Sequence, residues 1–267
     1  TLVSDRSEAF FCSSAVRKTL SMSNKLTMNG LHASRLSEAE RLAGEGVKEL
    51  NLISQDTINY GVDLGMRDGL TSLLRALVKI SDIRWIRPFY LYPQQVTNEL
   101  LDLYAGEEKI TKYIDMPLQH INDRMLKRMH RLGTRAAIEK LVDRIRTRIP
   151  GVTFRTAFIV GFPGETEQAY QELKSYVAES GFDRVAAFLY SDEDDTTAVS
   201  LDDKIERSVM EERRNELLAI QEDIASARGH ARIGSVMEVL VEGPSEETPL
   251  LLEGRHEGLA HPPPLGG

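Results

Sequence analysis

The sequence predicts an α/β protein built around a mainly parallel β-sheet, and three observations lead to this fold class. Short apolar segments alternate with amphipathic segments along most of the 267 residues. Turns rich in glycine or proline separate them, and the amphipathic segments have the three- to four-residue apolar spacing of helices. Strand and helix also alternate one for one, which indicates parallel strands joined by helical crossovers. The sheet is therefore either open or closed into a barrel.

The segment 155–168 is the clearest of these units. An apolar run over residues 157–160 ends at a turn that contains Gly161, Pro163 and Gly164, and Thr166 then precedes an acidic helical turn. This order is typical of a strand, a tight turn and a capped helix. Glycines let a ligand approach the backbone, and a helix amino terminus offers N–H groups to polar atoms. The segment is either an ordinary connection or one wall of a binding site.

The other elements follow the same pattern. The first helix has capping-box spacing from Ser37 to Glu40 and stops at Gly44. The predicted strands are residues 9–12, Glu49–Ile53, 85–91, 113–116, 157–160 and Arg184–Leu189. The predicted helices are residues 36–43, 70–80, 97–104, 122–131, 134–149 and 166–180. Most of residues 13–34 show no sustained period and are predicted to be loop.

Beyond Ser191 the sequence changes character. An acidic loop at 192–195 is followed by a highly charged helix predicted over residues 208–228. That helix places its apolar residues on one side, and they are Val209, Leu217, Ile220 and Ile224. Two β-like runs, 236–241 and 250–253, flank a turn-rich segment and predict a hairpin. The tail from residue 256 to 267 is predicted to be disordered.

Composition excludes several classes of function. The chain has 33 basic and 41 acidic residues, a net charge of −8, which argues against a broad nucleic-acid-binding surface. The basic stretches at 127–131 and 144–148 are predicted to be solvated helix faces. No apolar run approaches the roughly 20 residues that span a membrane, and no signal peptide is apparent, so we expect a cytoplasmic protein. Cys12 is the only cysteine, which excludes an intrachain disulfide.

The residues that follow each predicted strand share a polar character. Ligands of parallel α/β proteins bind at the carboxyl ends of the strands, so convergence of these residues predicts a site there. Gln55, Asp56, Gln119 and His120 are the main candidates, although each alone could be a cap or a turn former. His120 could carry a proton, but no acidic neighbour in sequence would orient it. Hydrolase and kinase motifs are absent from the sequence.

These strand-end motifs resemble, in order, those of the radical S-adenosylmethionine methylthiotransferases. The matching motifs are residues 55–57, 60–64, 90–93, 113–120, 161–166 and 190–191, within a similarity that extends from about residue 36 to 242. Gln-Asp-Thr and Pro-Leu-Gln-His are more similar to the RimO branch, which modifies an aspartate of a small-subunit ribosomal protein. The tRNA-modifying MiaB branch, with Gln-Asn-Val and Pro-Val-Gln-Ser, is the alternative.

The resemblance implies a partial (β/α)6 barrel of the radical-SAM type, followed by a truncated small β domain of the TRAM type. The implied divisions are a divergent segment 1–34, a barrel core 35–205, a long helix 206–230, and a hairpin with a disordered tail 231–267. It also implies S-adenosylmethionine and a [4Fe-4S] cluster as cofactors, a ribosomal protein as substrate, and a monomer. The residues placed around S-adenosylmethionine by resemblance are Gln55, Asp56, Gln119, His120, Arg155, Gly161, Phe162, Pro163 and Gly164.

The cysteine motif of the family is not intact in this chain. Family members hold three irons with Cys-x-x-x-Cys-x-x-Cys and leave the fourth iron for S-adenosylmethionine. By resemblance Cys12 is the candidate metal ligand. If it is the third cysteine, Asp5 and Ala9 occupy the other two positions. Counting back from Gln55 without gaps instead places the triplet at residues 11, 15 and 18, none of which is cysteine.

Three hypotheses therefore stand. The chain is a RimO-like enzyme whose amino-terminal segment is altered, or a catalytically silent barrel that binds S-adenosylmethionine or a ribosomal partner. The third is an unrelated α/β barrel that uses the Gly161 turn to bind phosphate.

Overall fold

The computed structural model describes residues 17–21, 28–192, 201–245 and 247–260. In chain order its elements are β1 (Arg17–Ser21), α1 (Met28–Gly44), β2 (Glu49–Ile53), α2 (Gly69–Leu77), β3 (Trp85–Pro88), α3 (Asn98–Gly106), β4 (Tyr113–Asp115), α4 (Asp123–Arg128), α5 (Arg135–Arg148), β5 (Thr153–Val160), α6 (Glu167–Ser180), β6 (Arg184–Leu189), α7 (Arg207–Ala231), β7 (Val239–Pro244) and β8 (Leu252–His256). None of the helices in these ranges is long and apolar enough to cross a membrane.

Six parallel strands form the core of the fold. Strands β1 to β3 pair in chain order, as do β4 to β6. The two groups meet where Ile86 pairs with Ile110, and the Leu91 N–H donates to the Asp115 carbonyl at 2.8 Å. A strand order that follows the chain, with helical crossovers, is a partial barrel. The predicted α/β fold class is confirmed.

Side-chain caps determine where several helices begin. Thr97, Asn122, Thr134 and Thr166 each accept a hydrogen bond from the backbone N–H three residues later. Such a cap satisfies one of the four unpaired N–H groups of the first turn and contributes about 1 kcal/mol. These short polar side chains stand just before apolar periodic segments, which is why the helix starts are predictable from sequence.

A buried ion-pair cluster occupies the amino-terminal end of the barrel. The Glu49 carboxylate on β2 accepts hydrogen bonds from Arg87 on β3 and from Arg255 on β8. All three side chains are at most 3% exposed. Arg255 also pairs with Glu242 on β7 at 2.7 Å, and Arg87 donates to the Glu257 carbonyl at 2.7 Å. The antiparallel β7–β8 hairpin is thereby held against the end of the barrel opposite to the strand carboxyl ends.

The amino-terminal part of the barrel was predicted incorrectly. Residues 17–21 form β1 and residues 28–34 belong to α1, although both were predicted to be loop, and the barrel accordingly begins before residue 35. The strand predicted at residues 9–12 lies outside the described residues. The sequence Arg-Lys-Thr-Leu-Ser of β1 has no alternation of apolar and polar residues. Its pairing with β2 depends on main-chain hydrogen bonds, which leave no periodic pattern in the sequence.

The carboxyl-terminal hairpin was predicted with its strands two to three residues too early. The tail was predicted to start at residue 256, but His256 ends β8 and Glu257 contacts the barrel. Contacts with residues far away in sequence hold His256 and Glu257 in place. Composition does not reveal such contacts, so the prediction of a disordered tail from residue 256 was wrong. Residues 261–267 lie outside the described residues, and assignment of the hairpin to a TRAM domain stays a prediction.

Helix α7 packs along α6 and β6 through a stripe that contains both apolar and polar side chains. Met210, Arg213, Leu217 and Gln221 are buried, at helical spacing on one face. Only Leu217 of these belongs to the apolar side predicted from sequence. The two polar members face the barrel because they bond to it: Gln221 donates to the Asp183 carbonyl at 2.9 Å.

We expect Leu217→Ala to destabilise the protein by about 2–5 kcal/mol, because the side chain is fully buried and its loss leaves a cavity between α7 and the barrel. The neighbouring Leu218, 40% exposed, provides the matched control Leu218→Ala, for which a much smaller loss is expected. The free energy of unfolding in urea measures both. Equal losses for the two variants would contradict the packing of α7 described above.

Candidate functional site

A cleft of about 700 Å³ opens at the carboxyl ends of the strands. Its polar lining residues are Gln55, Gln119, Arg131, Arg155 and Ser191. Its aromatic lining residues are Tyr90, Tyr92, Phe162, Phe188 and Tyr190. Small-molecule sites are commonly of this size and combine mostly apolar walls with a few convergent polar groups. The predicted convergence of strand-end residues is therefore present for Gln55, Gln119, Arg155 and Phe162.

Two lining residues are held in the left-handed backbone region. Tyr90 has φ 55° and Gln119 has φ 70°, a conformation that costs an L-residue about 1–2 kcal/mol. Hydrogen bonds hold them there: the Tyr90 N–H donates to the Asp115 carboxylate at 3.1 Å, and its carbonyl accepts from the Thr57 N–H. The Gln119 N–H donates to the Ala157 carbonyl at 2.8 Å. Non-glycine residues in this conformation cluster at functional sites.

The floor of the cleft carries an ion pair between Arg155 on β5 and Asp115 on β4. Asp115 is fully buried, and the side chain of Arg155 is 15% exposed. Burial raises the pKa of the Asp115 carboxyl, while Arg155 and the Tyr90 N–H act in the opposite direction. One carboxylate thus orients both a cationic side chain and the strained backbone of Tyr90.

The turn from Gly161 to Gly164 forms a buried wall beside the cleft. A Cβ atom on Gly161, which has φ +79°, would lie 2.3 Å from Cγ of Met210 on α7. Glycine is therefore required here by the packing of α7 as well as by the turn. Pro163 accepts a hydrogen bond from Arg128, and Phe162 meets Tyr190 edge-to-face with 5.0 Å between ring centroids.

A buried polar network lies behind this turn and is centred on Glu165. Its Oε2 accepts from the Gly161 N–H at 2.9 Å and from Arg213 of α7 at 2.6 Å, and its Oε1 lies 3.1 Å from His120 Nε2. The other ring nitrogen of His120, Nδ1, accepts from the Asn122 N–H at 3.0 Å. The ring proton therefore lies on Nε2 and is donated to Glu165.

Five predicted site residues lie off the cleft lining: Gly161, Pro163 and Gly164 in the turn beside it, and His120 and Asp56. His120 is fully buried in the Glu165 network, and the acid that orients it comes from 45 residues along the chain. Asp56 accepts a hydrogen bond from Asn59 Nδ2 at 2.6 Å, and burial raises the pKa of its carboxyl. Both residues shape the backbone next to the cleft.

The metal-binding side chains of this chain do not fit an iron–sulfur cluster that is held by three cysteine thiolates. The described residues contain no group of three or more His, Cys, Asp or Glu side chains that could hold a metal ion. Cys12 is the only cysteine in the sequence and lies outside the described residues. It also precedes β1, whereas residues 22–27, which follow β1, contain no cysteine.

Several residues of the site were missed from sequence. Asp115, Glu165, Arg213 and Arg131 were not among the candidates. A charged residue inside the apolar strand β4 was a usable signal for Asp115, since a charge there must find a partner. Arg213 occupies the apolar stripe of α7 four residues before Leu217, which was a weaker signal of the same kind.

Comparison with known proteins identifies the family. A profile of the Radical SAM superfamily matches residues 26–177, which is more than half of the chain. The chain belongs to the radical SAM superfamily. The match runs from α1 into α6 and includes the cleft residues from Gln55 to Phe162, whereas the cleft residues 188–191 at the end of β6 lie beyond it.

Curated relatives confirm the resemblance read from the strand-end motifs. The chain is 50% identical over 223 residues to the ribosomal protein uS12 methylthiotransferase RimO of Syntrophotalea carbinolica, covering 84% of this chain and 49% of the relative. It is 48% identical over 222 residues to the protein of the same name from Solibacter usitatus, covering 82% and 48%. The chain spans about half the length of the curated relatives it matches.

A solved structure supports the fold. Coproporphyrinogen III oxidase (HemN) from Escherichia coli, a radical SAM enzyme, superposes with a TM-score of 0.51 at 16% identity. The superposition covers 78% of this chain and 48% of that one.

We expect Glu165→Gln to destabilise the protein by about 3 kcal/mol, because the buried Arg213 guanidinium would lose its buried counter-charge. Glu167 binds the same guanidinium at 3.0 Å but is 69% exposed, so Glu167→Gln is the matched control and should have a much smaller effect. Urea unfolding of both variants tests this. Similar losses would show that the buried network contributes no more than the surface pair.

Proposed function

We propose that this chain is the S-adenosylmethionine-binding barrel of a RimO-type methylthiotransferase. The proposed reaction adds a methylthio group to an aspartate of the small-subunit ribosomal protein uS12. The observation that carries the proposal is the strand-end cleft, in which Gln55, Gln119, Arg155 and Phe162 converge, in a chain 50% identical to a protein of that activity. We also propose a cytoplasmic monomer.

The lining of the cleft fits S-adenosylmethionine. Phe162 and Tyr190 present aromatic surface suited to a purine, and the side-chain amides of Gln55 and Gln119 can bond to hydroxyl and amino groups. Ala157 and Ile159 add an aliphatic surface to the lining. When bound, S-adenosylmethionine supplies a methyl group and, after one-electron reduction, a carbon-centred radical.

The cluster expected from the family does not fit the donors of this chain, and no step is derived through it. The single cysteine favours a second candidate function, a catalytically silent barrel that binds S-adenosylmethionine or a ribosomal partner. The two candidates share the cleft and differ only in redox chemistry. The tRNA-modifying branch has no comparable support, since the curated relatives described above act on uS12 by name.

We expect the chain to bind S-adenosylmethionine and Ala157→Leu to weaken binding at least about tenfold, because three added carbons would enter the floor of the cleft. Ala136→Leu, the same change on the exposed surface of α5, is the control and should bind normally. Isothermal titration calorimetry gives the dissociation constants, and urea unfolding verifies that both variants fold. Absence of binding by the unaltered chain would refute the proposed function.

Anaerobic reconstitution with iron and sulfide separates the two candidates. The silent barrel predicts no broad visible absorption and no reductive cleavage of S-adenosylmethionine, because a cluster of this class needs three thiolates and the chain has one cysteine. The active methylthiotransferase predicts both the absorption and the cleavage. A matched sample of a full-length RimO relative provides the positive control. Cluster absorption together with cleavage by this chain would establish the active enzyme, whereas binding without either would establish the silent barrel.

A further inference from the structure

The cleft carries one cation that has no counter-charge among the described residues. Arg131 and Arg155 are its charged lining residues, and the Asp115 carboxylate pairs with Arg155. No carboxylate of the described chain forms an ion pair or hydrogen bond with Arg131. Asp192, which follows the end of β6 beside the lining residue Ser191, pairs with Lys204 at 2.6 Å and accepts from the Tyr190 hydroxyl. An anionic group entering the cleft would therefore meet one uncompensated guanidinium.

The backbone of Arg131 is fixed by the end of α4. The Arg131 N–H donates to the Leu126 carbonyl at 2.8 Å, and the His130 N–H donates to the Lys127 carbonyl at 3.1 Å. These two bonds, with His130 at φ +52°, form a Schellman motif. The two backbone hydrogen bonds therefore set the path of the chain at Arg131, and they offset the cost of placing the non-glycine residue His130 in the left-handed region.

The side chain of Arg131 is also held in place. Its guanidinium carbon lies 5.8 Å from the centroid of the Tyr92 ring, within cation–π range. A guanidinium that uses its face for an aromatic ring keeps its N–H edge for a planar, bidentate acceptor. The neighbouring arginines of α4 are already committed: Arg124 donates to the Gly164 carbonyl at 3.2 Å and Arg128 to the Pro163 carbonyl at 3.0 Å.

We propose that Arg131 is a carboxylate-binding residue at the strand-end cleft. The inference rests on the proposed function, in which two ligands bring a carboxylate: the methionyl part of S-adenosylmethionine, and the side chain of the aspartate to be modified. Both present the same planar acceptor to the same guanidinium edge. Arg131 would then distinguish acidic from neutral ligands.

Titration calorimetry of the full chain with four probes tests the proposal. The probes are S-adenosylmethionine, its decarboxylated analogue, a capped peptide containing one aspartate, and the same peptide with asparagine. The variants are Arg131→Gln and Arg131→Lys, with Lys127→Gln as the control, since it removes the same charge from an exposed position in the last turn of α4, the helix that precedes Arg131.

We expect Arg131→Gln to weaken binding of a carboxylate-bearing probe by about tenfold or more and to leave its neutral counterpart unchanged, since the variant cannot form the charge-assisted hydrogen bond. Arg131→Lys should recover part of the loss because it keeps the charge without the planar fork. Lys127→Gln should bind normally. Loss confined to S-adenosylmethionine identifies the methionyl carboxylate as the ligand, and loss confined to the aspartate peptide identifies the substrate side chain.

Undiminished binding of both acidic probes by Arg131→Gln, or an equal loss in Lys127→Gln, would overturn the proposal while the proposed function stands. Failure of the unaltered chain to bind S-adenosylmethionine would overturn the proposed function, and the peptide pair alone would then decide the role of Arg131. Failure to bind either acidic probe would overturn both.

Discussion

The Glu165 carboxylate joins three parts of the chain on which the cleft depends. It accepts from the Gly161 turn after β5, from His120 after β4 and from Arg213 on α7. A carboxylate this deeply buried is tolerated only when its oxygens are fully bonded, so none of the three partners can move independently. Helix α7, although outside the alternating β/α units, is thereby part of the wall that carries Phe162.

Asp115 has the corresponding role on the opposite side of the cleft. It orients Arg155 and holds Tyr90 in a strained conformation, so the cost of that strain is offset by a buried charge-assisted hydrogen bond. Asp115 and Glu165 are each matched by an arginine, which leaves Arg131, among the described residues that line the cleft, as the cation without a carboxylate partner. The lining accordingly suits a molecule that has an aromatic ring, hydroxyl or amino groups and a carboxylate, and S-adenosylmethionine has all of them.

The two ends of the barrel differ in structure: one end forms the cleft and the other binds the hairpin. The strand carboxyl ends form the cleft, whereas Glu49 and its two arginine partners tie the β7–β8 hairpin to the amino-terminal end. The Glu49 carboxylate and its two arginine partners must be positioned accurately. Without the carboxylate, each arginine would be an unpaired buried charge, which is strongly destabilising. The hairpin is therefore docked against the barrel in a defined position.

The sequence by itself determined the alternation of strands and helices, the bounds of β2 and β6, the capped starts of α3 to α6 and the family, because periodicity, caps and strand-end motifs are local signals. The capping-box spacing at Ser37 and Glu40 was misleading, since α1 begins at Met28. It also brought Gln55 and Gln119 to one rim, since parallel strands end on the same side, and the family resemblance added Arg155. Only the tertiary structure decided that β1 is a strand, that His120 and Asp56 lie off the cleft, and that Arg213 belongs to the site. These outcomes depend on hydrogen bonds between groups distant in sequence, and on the low dielectric that makes each buried charge require its partner.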